Sequence, residues 1–312
     1  MSNRITISYK SLFSSKNIAF LSVVIVFFFL SLGPICVRWS EREISPIATV
    51  FDRFFFSAIV FSLGNGVNWL DTQKTDTESA FYSPKIILFL LGAGICGAVN
   101  QMLWAFSIAQ TNIGNSSLIH SLTPLFTTLL AWLFLNRSFD RQFIIGMMVA
   151  IGGSIAIGIG DFQISTTKLQ GDGLALLSAV FFAIYLLIVE RLRVCLNASS
   201  ILFWRCLLGT TFLLPILLFN SDRLLPYSRS GWLAVACFTL TFVIGHALLT
   251  YSLKILSSSS VAVVLLLEPF FSSMQAWIFF SEKLSILEWI SFLIVILGVY
   301  LSISSFSQEV SE

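Results

Sequence analysis

The chain reads as long apolar runs separated by short polar connections. Ten runs reach the roughly 20 largely apolar residues that a helix needs to cross a bilayer. They fall at 18–38, 46–66, 85–109, 112–135, 141–160, 171–190, 198–219, 230–253, 257–280 and 285–305. Only Leu70–Pro84 and Asn220–Ser230 form extended polar connections, and neither leaves room for a soluble domain. The pattern predicts an all-α polytopic membrane protein.

One stretch occurs twice. LLLEPFFSSMQAWIFFSEKLS at Leu265–Ser285 has a twin in LTPLFTTLLAWLFLNRSFD at Leu122–Asp140. Pro124 matches Pro269, Phe126 matches Phe271 and Ala131-Trp132 match Ala276-Trp277, all at an offset of 145. Gly153 and Gly298 keep that offset, whereas Arg53 and Arg205 in FDRFFFSA and FWRCLLGT are 152 apart. The longer Leu70–Pro84 loop accommodates the difference. The chain therefore divides into two five-helix halves, 18–160 and 171–305, which together form one membrane domain. Five crossings are odd, so the second half runs in the opposite sense. Ten transmembrane helices in two inverted five-helix repeats is the plan of many secondary transporters.

Composition agrees. Of 312 residues 56% are hydrophobic and 11% charged, and the mean hydropathy is +0.90. Soluble domains carry about 25% charged residues. A net charge of +2 with no basic run offers nothing to nucleic acid. The five cysteines have no metal-ligand spacing and are expected to be small buried apolar residues. Walker, HExxH and GxSxG patterns are absent from the sequence, which argues against ATP-driven transport and against a metal or serine hydrolase, and no cofactor is expected. Placing the N-terminus in the cytoplasm puts ten Lys and Arg of the connections inside and six outside. That asymmetry favours both termini cytoplasmic, with the chain in the plasma (inner) membrane. A homodimer is left open.

Ionisable and polar groups inside spans mark the candidate chemistry, because they are costly in lipid and face a bundle interior or a cavity. Glu268, Ser272 and Gln275 share one helix face, and the twin helix offers His120, Thr123 and Thr127. Pro124 and Pro269 are structural elements of the same faces. Each is expected to kink its helix and free a carbonyl one turn earlier. Glu268 is the candidate for substrate contact or proton coupling, and equally a brace across the kink. Asn100, Gln101 and Trp104 lie within one turn of the third span, with Gly245, His246 and Leu249 as counterparts. An amide and an indole suit a polar or amphipathic solute, or they join helices. Tyr185 is a further cavity candidate. Arg53 and Arg205 are expected to be structural and to snorkel toward helix ends, with direct contact to an anion as the alternative. With no lysine deep in a span, fixed cations for a phosphorylated solute are not expected. Gly152, Ala156 and Gly160 form a small-residue stripe, and Gly92, Gly94 and Gly97 another, both suited to close helix packing. Ser285 and Glu288 have capping-box spacing.

At the paired prolines the chain resembles the EamA-type branch of the drug/metabolite transporter superfamily. Its most specific part is LLLEPFFSSMQAWIFFSEKLSILEWISFLIVILGVYLS at Leu265–Ser302, with the acid-proline pair, Glu282 in the following loop and Gly298 in the last helix. The first half departs from the pattern: Thr123 stands where an acid is common, and Asn136-Arg137 replace Gly-Glu. The resemblance implies ten helices in two repeats. It also implies a secondary carrier, often an exporter of amino acids, metabolites or small drugs, with a small-molecule substrate and the lipid bilayer as its partners. A membrane-embedded enzyme and a non-transporting scaffold are the alternatives. The first would need an acid/base or metal constellation at one membrane face, and the second a sizeable soluble domain.

Overall fold

The structure is a computed structural model. It describes residues 29–69, 83–111, 113–158, 169–219, 223–280 and 286–309, and all regular structure among them is helical. The helices in chain order are α1 Gly33–Ser40, α2 Pro46–Trp69, α3 Pro84–Gln110, α4 Ile113–His120, α5 Thr123–Leu135 and α6 Arg141–Gly158. They continue with α7 Leu169–Leu192, α8 Ala198–Phe219, α9 Arg229–Ser252, α10 Ser258–Val264, a 3-10 turn at Leu265–Leu267, α11 Glu268–Phe280 and α12 Ile286–Glu309. Among the described residues six stretches are long and apolar enough to cross a membrane: Pro46–Leu63, Pro84–Gln110, Asn115–Leu135, Leu169–Leu192, Ala198–Phe219 and Arg229–Ser252. Shorter apolar helices fill Arg141–Ala156, Ser258–Phe271 and Trp289–Ser304. Residues 18–28 of the first predicted span, Glu282, Ser285 and the side chains of Ser272 and Glu288 lie outside the described residues.

The fourth and ninth predicted spans are interrupted next to their prolines, by a turn at Ser121–Leu122 and by the 3-10 turn at Leu265–Leu267, while the backbone stays helical on both sides. Pro124 sits in the first turn of α5, where a missing N–H costs nothing. Pro269 stands likewise one residue into α11. The freed carbonyls do not become extra polar groups, contrary to the sequence expectation. The Thr123 hydroxyl donates to the His120 carbonyl at 2.6 Å, and the Glu268 N–H donates to the Leu265 carbonyl through the 3-10 turn. Local donors absorb the breaks, as a lipid environment demands.

Burial runs inward and apolar side chains cover the outside. Leu63, Leu88, Phe134, Leu293 and Tyr300 are largely exposed, as expected of helices solvated by lipid rather than water. Cys195 and Cys237 are exposed, so only Cys36 and Cys206 fit the buried-apolar reading fully; all five are free thiols. Inside, one core joins α1, α2, α3, α8 and α9 through Phe54, Ala98, Leu202 and Phe242. A second joins α3, α7 and α9 through Leu90, Leu186 and Leu249. A third holds α6 and α12 with the broken α10–α11 helix through Met147, Leu266 and Val295.

Extensive seams pair α6 with α12, α3 with α7, and α2 with α8. Glycine sets the distance in the first two. A Cβ on Gly146 would lie 2.7 Å from the Gly298 carbonyl oxygen, and one on Gly153 2.9 Å from the Val295 nitrogen. The stripe expected at Gly152 is corrected: Gly152 faces outward with nothing near it, and the helix turns Gly146, Ala150 and Gly153 to its partner. Gly160 lies outside the described residues. Gly92, Gly94 and Gly97 do admit close neighbours, Ile188, Leu208 and Arg205.

Connections are pinned by polar groups. Asn136 ends α5 at φ 48° with its N–H on the Ala131 carbonyl. Asparagine is the usual second choice to glycine in this left-handed position, so the departure from Gly-Glu keeps the cap. Arg137 then forms a two-bond ion pair with Glu190 at 2.7 and 3.1 Å, and Glu190 also accepts the Ser258 N–H at 3.1 Å. Between α1 and α2, Glu43 accepts from the Ser228 hydroxyl and from its N–H, tying that turn to the start of α9. The Ser228 hydroxyl bond holds the Glu43 carboxyl below its usual range.

Candidate functional site: a buried cavity with twinned arginines

Both helix breaks deliver a polar side chain to the same interior space. His120 is the last residue of α4 and Glu268 the first of α11, and both line one cavity. Gln101 and Trp104 of α3, His246 of α9 and Arg53 of α2 share its wall. Phe182, Phe238, Thr241, Phe242, Leu265, Leu30 and Gly33 complete it. The space is about 70 Å³, room for a handful of waters, so a larger solute needs a wider state of the bundle.

Of the sequence candidates, Gln101, Trp104, His120, His246 and Glu268 therefore come together, and Asn100, Thr123, Tyr185 and Gln275 are not among the wall residues. Asn100 is fully buried and accepts the Ser178 hydroxyl at 2.8 Å, joining α3 to α7. Thr123 spends its hydroxyl on the His120 carbonyl, and Thr127 spends its own on Thr123. Tyr185 lies behind Phe182, with which it stacks at 6.0 Å. Gln275 is buried on α11 and not among the wall residues.

The arginines overturn an expectation. Arg53 and Arg205 do not snorkel to helix ends; they are 3% and 0% exposed. Arg53 Nη2 donates to Gln101 Oε1. Arg205 Nη1 donates to Tyr185 Oη at 3.0 Å and meets His246 Nδ1 at 2.9 Å. The two sets are twins. Arg205 follows Arg53 by 152 residues, and His246 follows Gln101 by the offset of 145 that relates the repeated helices. Each half thus binds an arginine of its second span to a side chain of its third. Aromatic faces surround both. Arg53 lies 4.1 Å from the Phe238 centroid and 4.6 Å from that of Phe242, and Arg205 lies 4.1 Å from Tyr185 and 4.9 Å from Phe242. Gly97 leaves the space that the Arg205 side chain fills: a Cβ there would sit 2.7 Å from its Nε. Sequence reasoning missed these fixed cations because an arginine two turns into a span is near enough to an end to reach water. The duplication of the arginine is the signal the sequence offers. The aromatic wall, Phe182, Phe238 and Phe242, had no signal at all among so many phenylalanines.

Apolar membrane-crossing helices enclose a small cavity that carries ionisable side chains on its wall, the arrangement in which a membrane protein holds a solute or ion path. The chain belongs to the EamA-like transporter family, which matches residues 17–159 and again residues 169–304. It is 25% identical to the pseudopaline exporter CntI of Pseudomonas aeruginosa over 193 residues, 62% of this chain and 66% of that one. The match thus spans just under two thirds of the exporter's length. An uncharacterized transporter of Archaeoglobus fulgidus is 25% identical over 88% of this chain and 94% of its own. Mouse solute carrier family 35 member G1 is 23% identical over 66% of this chain and 59% of its own. These relatives are named as transporters or exporters, not as enzymes. A solved crystal structure shares the fold at a TM-score of 0.73 and 14% identity, covering 92% of this chain and 97% of that one.

Proposed function

We propose that the chain is a secondary active exporter of a small organic metabolite, amino acid or drug-like solute, working by alternating access. The observation that carries this reading is the twinned pair Arg53–Gln101 and Arg205–His246, of which Arg53, Gln101 and His246 line one interior cavity and Arg205 lies behind it. A duplicated polar pair at the meeting of two equivalent halves suits a site that each half closes in turn. The seams α2–α8 and α6–α12 join elements equivalent by sequence, which supports two inverted halves at 18–160 and 171–305, with the cavity near the bilayer midplane and both termini cytoplasmic. Glu268 is the proposed proton-coupling group: it lines the cavity, and no ion pair to it forms among the described residues. Export is the direction that the name of the Pseudomonas aeruginosa relative supports.

Comparing metabolites inside cells and in the medium, with and without the gene, tests the reading. At least one small solute is expected to move from cell to medium when the gene is present. Glu268→Gln is expected to lower that export about tenfold or more, the scale of one lost charged contact. Identical profiles with and without the gene would sink the transport reading. Full export by Glu268→Gln would leave the acid a structural brace.

A further inference from the structure

We propose that the solute carries a carboxylate, and that Arg53 is the residue that binds it, with Arg205 as a second positive charge behind the wall. The inference rests on the transporter reading and names the chemistry of its cavity. A buried charge is costly unless paired, and two guanidiniums flanking one aromatic ring repel each other as well. Phe242 lies within 4.9 Å of both. Their protein partners are neutral: an amide, a phenol and an imidazole. Among the described residues the only ion pair is Arg137–Glu190. Asp52, next to Arg53 in the chain, has both carboxylate oxygens buried without a hydrogen-bond partner, so it pairs with neither arginine.

Donors remain. Arg53 Nε, and Arg205 Nε and Nη2, are buried without acceptors, and Arg53 is on the cavity wall. Cation–π contacts with Phe238, Phe242 and Tyr185 offset part of the cost of burial, but they offer no acceptor to these N–H groups. A planar carboxylate fits a guanidinium edge with two parallel bonds and brings the opposite charge. Gln101 helps by holding Nη2, so that the remaining edge keeps a fixed direction. The same wall also carries Glu268, which suits an amine on the same solute. A small cavity with apolar sides favours a compact carboxylate over a nucleotide or sugar phosphate.

The test is binding, measured apart from transport. Full-length protein in detergent is melted with matched series: alanine, leucine and phenylalanine, each beside its deaminated acid and its decarboxylated amine, with inorganic phosphate as the competing anion. At least one carboxylate is expected to raise the melting temperature, and its amine counterpart to leave it unchanged. Arg53→Gln is expected to weaken that carboxylate by about tenfold or more, and Arg53→Lys by less. No carboxylate effect, an equal effect of the amines, a response to phosphate alone, or carboxylate binding undiminished in both variants would each overturn the proposal. The wild-type series decides the matter even if a variant fails to fold. Failure here with export intact refutes the carboxylate, whereas carboxylate binding without export refutes the transport reading.

Discussion

Gly146→Leu abolishes the seam between α6 and α12, and the purified protein loses its cooperative melting transition. A Cβ at this position would lie 2.6 Å from the Ser302 nitrogen and 2.7 Å from the Gly298 carbonyl oxygen. Both are backbone atoms of α12, so no rotamer change makes room and the helices must part. Overpacking a core by side-chain adjustment costs about 1–3 kcal/mol; a clash with backbone across a whole helix pair belongs at or above the top of that range. Parting also breaks the Ser302 hydroxyl bond to the Phe143 carbonyl at 3.2 Å and opens the core around Val295 and Met147. Gly152→Leu is the control, since nothing lies within 4 Å of its Cβ position, and it is expected to melt as the parent does. Equal melting of the two variants would show that the seam does not depend on glycine.

Gly97→Val is expected to cut export sharply while leaving most of the fold. The added Cβ meets Arg205 at Nε, Cγ and Cδ, at 2.7, 3.4 and 3.5 Å. The arginine side chain must move, and with it go the bonds to Tyr185 and His246. His246 is then free to turn, and the cavity wall changes with it. Export of the solute identified by metabolite comparison should fall about tenfold or more, the scale of a lost charge-assisted bond. The melting temperature should fall less than in Gly146→Leu, because the clashing atoms belong to one side chain. Export at the parent rate would show that the Arg205 position does not matter to transport.

How far the sequence alone reaches follows from what each signal measures. Apolar runs report burial in lipid, and they located the helices closely: the run 198–219 is α8 to the residue. The repeat at 145 located both proline breaks. Run length cannot see a turn inside an apolar segment, so His120–Thr123 and the 3-10 turn at Leu265–Leu267 were read as continuous helix with a kink. Small-residue spacing gave the right kind of contact on α6 but the wrong face, because Gly152 and Gly153 differ only in which way the helix is turned. Half of the candidate site was legible as polar residues in spans. Arg53 and Arg205 were not, because depth along a helix does not distinguish a side chain that climbs to water from one that folds inward onto Gln101 or Tyr185. That choice is made by neighbours from other helices, such as Gly97 and Phe242.

The most direct measurement is accessibility of the cavity from the two sides of the membrane. A single cysteine replacing Trp104, in a chain whose five native cysteines have been exchanged for serine or alanine, is labelled with a membrane-impermeant thiol reagent. Right-side-out and inverted vesicles present opposite faces. A carrier that exposes its site in turn predicts labelling in both preparations, with less of it when the solute is present. Labelling from one face only, or unaffected by the solute in both, would contradict a shared central site.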